Sequence, residues 1–130
     1  QINTGAFGGD CHLESAWIRS ALDEMDLTNI KTIFVENIGN LVCPAEFDVG
    51  AHTNAVVLSV TEGEDKPLKY PLAFQTSSLC IISKIDLLPY LDISISDIRE
   101  NVKKVNPKMK VIELSAKTGE GFENWLNFLQ

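Results

Sequence analysis

Short apolar runs alternate with amphipathic stretches along this chain. Four runs, residues 32–35, 55–60, 79–83 and 111–114, are rich in Val and Ile and apolar at consecutive positions. Consecutive apolar residues predict strands buried on both faces, whereas half-buried strands alternate. Between the runs, apolar residues fall at helical spacing. Leu13, Trp17, Ala21 and Met25 recur four apart. Ile95, Ile98, Val102 and Val105 form a second stripe, with Ser94 and Asp97 in capping-box spacing ahead of it. Phe122, Trp125, Leu126 and Leu129 place a third on one side of a last helix. Strands alternating with helices imply βαβ units, hence an α/β fold with a mostly parallel sheet. In such sheets the loops leaving the carboxyl ends of the strands build the binding site.

Composition narrows the partners. With 130 residues, of which 45% are hydrophobic, the chain is one domain's worth and long enough to bury a core. Eleven basic against 18 acidic residues give a net charge of −7. That balance argues against nucleic acid or an anionic membrane surface as the main partner, because phosphate binding needs clustered cations. No apolar run is long enough to span a bilayer and no signal peptide is visible, so the expected location is cytoplasmic. Three cysteines do not make a disulfide framework, and a reducing compartment fits a cysteine acting as ligand or nucleophile. The opening "QINTGAFGG" reads as the end of a strand entering a glycine-rich loop, which predicts a fragment beginning inside an element.

The unusual residues sit after the predicted strands. In "SKIDLL", Lys84 and Asp86 stand two apart just past the third run. A carboxylate there can accept two hydrogen bonds from guanine, from its ring N–H and its exocyclic amine, while the lysine stem packs along the base. Taken alone, K-x-D describes many solvated loops. "VIELSAKTGEGF" then puts Ser115, Ala116 and Lys117 at the end of the fourth run, where a backbone N–H can meet guanine O6. Two base loops in the right order, separated by one helix, are far less common than either alone. Upstream, "FVENIGN" ends an apolar run in Glu36 with Gly39 three residues on. In nucleotide switches such an acid lies near Mg²⁺ or its water and the glycine N–H meets the terminal phosphate. A plain turn is the alternative.

A second chemistry lies close by in sequence. Cys11-His12 and Cys43 are a thiolate, an imidazole and a thiolate, donors that suit Zn²⁺ or Ni²⁺. Asp10 is placed to cap a helix whose first turn would hold the pair. Three ligands are one short of a closed tetrahedral site, and a two-fold dimer would supply six. Cys80, inside the third run, reads as core packing; His52, in "GAHTN", reads as solvated. The charged run "TEGEDKPLKYP" reads as a surface loop and helix start, with Lys66 and Lys69 on a solvated face.

Together "CHLES", "FVENIGNLVCPAEFDVG", "SVTEGEDKPLKYP", "SKIDLLPYL" and "SAKTGEGFENWLNFL" resemble the HypB-type GTPases, which help insert nickel into [NiFe] hydrogenase. The likeness runs over the whole chain. The resemblance implies a P-loop NTPase-like three-layer fold, GTP hydrolysis with Mg²⁺, a homodimer, and a Ni²⁺ or Zn²⁺ site at its interface. Hydrogenase maturation proteins and the hydrogenase large subunit are the implied partners. By position, Cys11, His12 and Cys43 would be metal ligands, Glu36 and Gly39 the switch, and Lys84, Asp86, Ser115, Ala116 and Lys117 the guanine site. One short loop would then couple phosphate state to a metal-bearing cysteine.

The chain also departs from that pattern. No G-x-x-x-x-G-K-[ST] phosphate loop occurs in it, so residues 1–130 are expected to be the carboxyl-terminal part of a G domain. The fold is then expected to be incomplete at its amino-terminal side, and the chain by itself inactive as a GTPase. The link between "NTG" and "CHL" is longer than usual, and Ala16 stands where some relatives place a histidine. Ser83 occupies the usual asparagine position of the base loop. Two other readings stand beside the GTPase: a non-enzymatic Ni/Zn-binding dimerisation module, and a urease-type nickel-accessory GTPase, against which the Cys-His pair argues.

Overall fold

The computed structural model describes residues 13–130. They fall into two compact units that meet in sequence between His52 and Thr53.

The first unit holds α1 (Ser15–Asp23) and the single turn α2 (Cys43–Glu46). Ile18 is the buried residue of α1; the expected stripe of Leu13, Trp17, Ala21 and Met25 is half-buried throughout, and Ile18 and Leu22 widen it by one position. Glu14 stands at the N-cap position without a side-chain cap bond, and Leu13 before it is not helical, so Asp10 is not the N-cap residue of α1. Cys11 and His12 lie outside the described residues. The strand expected over residues 32–35 is not formed. A strand exists only in a hydrogen-bonded sheet, and this segment joins none among the described residues. Ile33, Phe34 and Val35 are exposed there, Phe34 to 67%.

The second unit contains β1 (Ala55–Ser59), α3 (Lys66–Lys69), α4 (Pro71–Gln75), β2 (Leu79–Ser83), α5 (Ile95–Val105), β3 (Lys110–Leu114) and α6 (Phe122–Phe128). The three strands form one parallel sheet in the order β1-β2-β3. Two crossovers of the same hand put α3, α4 and α5 on one face. On the other, Trp125 and Phe128 of α6 pack on Leu79, Ile81, Ile112 and Leu114. The stripe expected for α6 is thus only partly used: Phe128 joins Trp125, while Leu126 is exposed.

Burial follows position in the sheet. Central β2 is buried on both faces over Leu79–Ile82, as its apolar run predicts. Strand β1, at an edge of the sheet among the described residues, alternates, and its Val57 is 57% exposed beside the area that α6 covers. Fully buried Leu58, Phe74, Ile82, Ile98 and Val102 form the core beneath α4 and α5. Side chains fix the helix ends. Ser94 Oγ accepts the Asp97 N–H at 3.3 Å, while the Ser94 N–H donates to Glu64 Oε1. Asn106 Nδ2 donates to the carbonyls of Phe74 and Ser77. The charged run is a surface element, with Lys69 paired to Asp65 at 2.5 Å. His52 is exposed and Cys80 is fully buried, as the sequence suggests.

Burial also pushes the Cys80 thiol up to about 12, against about 8.5 for an ordinary thiol. The folded chain therefore holds this proton more tightly than the unfolded one. The associated stability is complete below the ordinary thiol range and is lost as pH rises toward the folded value. Alkylation of the native chain at mildly alkaline pH should spare Cys80, and denaturing urea should expose it. Peptide mass mapping reads both states, and rapid native labelling of Cys80 would contradict the burial.

Candidate functional site

Strands β2 and β3 run in parallel with Ser83 opposite Leu114, so the loops that follow them leave the sheet side by side. After β2 the backbone turns sharply at Lys84, which takes a left-handed conformation (φ 61°) and opens a 3-10 turn over Ile85–Tyr90. After β3 comes Ser115, fully buried although polar. Burying a hydroxyl is costly unless it is hydrogen-bonded. Here it donates to Asp86 Oδ1 at 2.6 Å and accepts the Thr118 N–H at 3.2 Å.

Its backbone is equally engaged. The Ser115 N–H donates to the Glu120 carbonyl, and its own carbonyl accepts the Gly119 N–H, both at 2.9 Å. This tight loop ends at Gly121, where φ is +75° and an added Cβ would lie 1.9 Å from the Glu113 carbonyl oxygen. Only glycine fits a left-handed turn pressed this closely on a strand.

One cavity of about 490 Å³, open to solvent, lies against the two loops and is lined by Ser83, Lys84, Asp86, Leu87, Ala116 and Lys117. Four of the five residues expected to read guanine thus line one cavity, and the fifth, Ser115, is bonded beneath it to Asp86. Leu87 supplies an apolar wall that the motif alone did not reveal. Its signal was the apolar "IDLL" that follows the aspartate.

Glu36, Gly39 and Cys43 lie in the first unit. Glu36 and Gly39 are exposed, and Cys43 is half-buried as the first residue of α2. An added Cβ at Gly39 would meet nothing within 4 Å, and its φ is not left-handed. Neither space nor conformation therefore requires glycine there. Two asparagines that the motif reading passed over hold the loop. Asn37 Oδ1 accepts the N–H groups of Ile38 and Leu13, and Asn40 Oδ1 accepts those of Val42 and Cys43. Among the described residues, no three of His, Cys, Asp and Glu come together as a metal cluster. No helix among them is long and apolar enough to cross a membrane.

A parallel sheet with base-sized loops at its carboxyl edge defines a nucleotide-binding α/β domain. The chain belongs to the CobW/HypB/UreG family of nucleotide-binding domains, whose pattern matches residues 2–113. Its relatives there are HypB hydrogenase maturation factors. It is 47% identical over 130 residues to hydrogenase maturation factor HypB of Escherichia coli K12, covering 100% of this chain and 44% of that protein. The crystal structure of HypB from Archaeoglobus fulgidus superposes with a TM-score of 0.89 at 36% identity, covering 99% of this chain and 67% of that one. HypB from Helicobacter pylori in complex with nickel gives 0.86 at 38% identity, covering 99% and 60%. The fold is therefore the P-loop NTPase-like architecture of HypB. The chain spans less than half the length of the Escherichia coli relative it matches.

Two substitutions separate scaffold from ligand roles. Ser115→Ala should lower stability by about 1–3 kcal/mol, since it leaves the Thr118 N–H and Asp86 without this partner. Gly39→Ala should change stability by less than about 0.5 kcal/mol. Urea unfolding midpoints measure both, and a large loss at Gly39 would mean that the fold itself demands glycine.

Proposed function

We propose that this chain belongs to a nickel-handling maturation factor for [NiFe] hydrogenase that works as a homodimer, with GTP hydrolysis the work of an intact protein that includes a phosphate loop and not of these 130 residues alone. The observation that carries the nucleotide half is the single cavity between the Lys84–Asp86 and Ser115–Lys117 loops, with Asp86 held by buried Ser115. Asp86 would accept from guanine's two N–H groups, Lys84 would lie along the base, and the loop at Ala116 would donate to O6. Adenine offers no such donor pair, so the site would select guanine.

Glu36 is an exposed carboxylate, a hard oxygen donor of the kind Mg²⁺ takes. When bound, that ion would neutralise phosphate charge. Gly39, whose glycine the fold does not require, would present its N–H to the terminal phosphate. Cys43 follows on the same loop and, with Cys11 and His12, would bind Ni²⁺ as cargo, or Zn²⁺. The nickel complex of the Helicobacter pylori relative supports the metal half. Other hydrogenase maturation proteins and the large subunit are the proposed partners, in the cytoplasm.

Nickel and zinc titration followed by light scattering, run in parallel with binding of a fluorescent guanine nucleotide, tests the two halves separately. Metal should drive dimer formation, and Cys43→Ala should weaken metal binding at least about tenfold while leaving guanine binding intact. Asp86→Ala should do the reverse. Equal metal affinity in Cys43→Ala would remove the metal assignment, and equal nucleotide affinity in Asp86→Ala would remove the base site.

A further inference from the structure

We infer that the free edge of β3 is a docking site for an acidic, extended peptide segment of a partner, which joins the sheet as a further strand. None of the groups that recognise it belongs to the nucleotide or metal sites proposed above.

The edge is set by the ladder. In a parallel strand each residue turns its N–H and carbonyl to one side, and successive residues alternate sides. The Lys110 N–H donates to the Ser78 carbonyl at 3.0 Å, just ahead of β2, so Lys110, Ile112 and Leu114 face β2. Val111 and Glu113 therefore face away from it, and among the described residues β3 has no second neighbour. Gly121 lies over the Glu113 carbonyl and closes that end. Three main-chain groups remain: the Val111 N–H, the Val111 carbonyl and the Glu113 N–H. No hydrogen bond within the described residues takes them up. They open on a groove of about 570 Å³, whose lining includes Arg99 of α5 and Asn124 and Asn127 of α6. Unpaired donors and acceptors at strand spacing are what an added strand satisfies.

Charge specifies the occupant. Five of the 11 basic residues, Arg99, Lys103, Lys104, Lys108 and Lys110, fall within residues 99–110, against one acid, Glu100. That stretch carries +4 in a chain of −7. Part of it borders the groove: Arg99 and Lys110 line it, and Lys103 Nζ donates to the carbonyls of Pro107 and Met109 on the chain entering β3. Arg99 pairs with Glu113 through Nε, which engages one of the several guanidinium donors. Salt screens charges beyond about 8 Å at physiological strength, so the local cations outweigh the distant acids. Main-chain bonds give the affinity, and carboxylates on the segment give the selectivity.

The test uses the 130-residue chain and fluorescein-labelled peptides of about eight residues, a strand's length, in which Glu alternates with Val. Fluorescence anisotropy reads affinity, and amide hydrogen exchange at Val111 and Glu113 reads the place. The Glu–Val peptide should bind and slow exchange at both amides by at least about tenfold, since each gains an acceptor. Gln in place of Glu should weaken binding at least about fivefold through the loss of charge-assisted bonds. Full N-methylation of the peptide backbone removes its donors and should abolish binding. Val111→Pro removes the outward N–H, a change an edge strand tolerates. It should weaken binding at least about tenfold, the equivalent of one hydrogen bond. Should that variant fail to fold, Arg99→Gln combined with Lys110→Gln should weaken the Glu–Val peptide at least about fivefold and leave the Gln–Val peptide unchanged.

No binding of the Glu–Val peptide overturns the inference, as does binding that Val111→Pro and full N-methylation leave unchanged. A dimer formed without metal or nucleotide and broken by Val111→Pro makes the occupant a second copy. Equal binding of a single-stranded oligonucleotide makes the patch a polyanion site. Either result also overturns the acidic segment.

Discussion

The hydrogen bond from Ser115 to Asp86 turns two neighbouring loops into one pocket. Each loop belongs to a different strand, and nothing in the chain's local geometry brings them together. The parallel register does, by setting Ser83 opposite Leu114 so that both loops depart at one level. A buried hydroxyl then needs a partner, and the carboxylate of Asp86 is the one it finds at 2.6 Å. A carboxylate has several acceptor sites, so this bond holds Asp86 without exhausting it. The pocket is in this sense a consequence of the core, because the register exists only while β2 is packed on both faces.

What seats Ser115 is equally indirect. Its loop closes on itself through the Glu120 and Gly119 bonds and then passes over β3 at Gly121, where a side chain would strike the strand's own carbonyl. From there α6 begins, and Trp125 and Phe128 lay it on Leu79, Ile81, Ile112 and Leu114. The loop that begins at Ser115 is thus clamped between a strand it leaves and a helix it enters.

Much of the second unit was legible because its signals are local. Residues 79–83 read as a strand buried on both faces and are one, and the two loops proposed to read the base follow β2 and β3 and line one cavity. Where the reading failed, the missing information was tertiary. Residues 55–60 are as apolar as β2, yet Val57 is exposed, since among the described residues β1 lies at an edge of the sheet. Residues 32–35 have a strand's composition, but composition cannot supply the neighbouring strand a ladder needs. The α6 stripe was drawn from periodicity, and Leu126 lost its place to Phe128 because only part of the helix faces the sheet. Asn37 was passed over for the same reason: its decisive partner is 24 residues away.

Ser83 shows how one departure from a motif shifts the load elsewhere. It stands where GTP-binding proteins usually place asparagine, and its shorter side chain cannot make the same reach. Its hydroxyl donates instead to the Leu58 carbonyl of β1 at 3.4 Å, a bond at the long limit of useful geometry. That contact stitches β2 to β1 and does nothing to orient the aspartate three residues on. Lys84, in its left-handed conformation, turns the chain, and its carbonyl accepts the Leu87 N–H at 3.0 Å, which fixes the backbone around Asp86 and not its carboxylate. Orientation of the carboxylate therefore depends on Ser115, the buried donor at 2.6 Å. With the bond on the Ser83 side weak, the pocket's geometry rests on the β3 loop and, through Gly121, on the docking of α6.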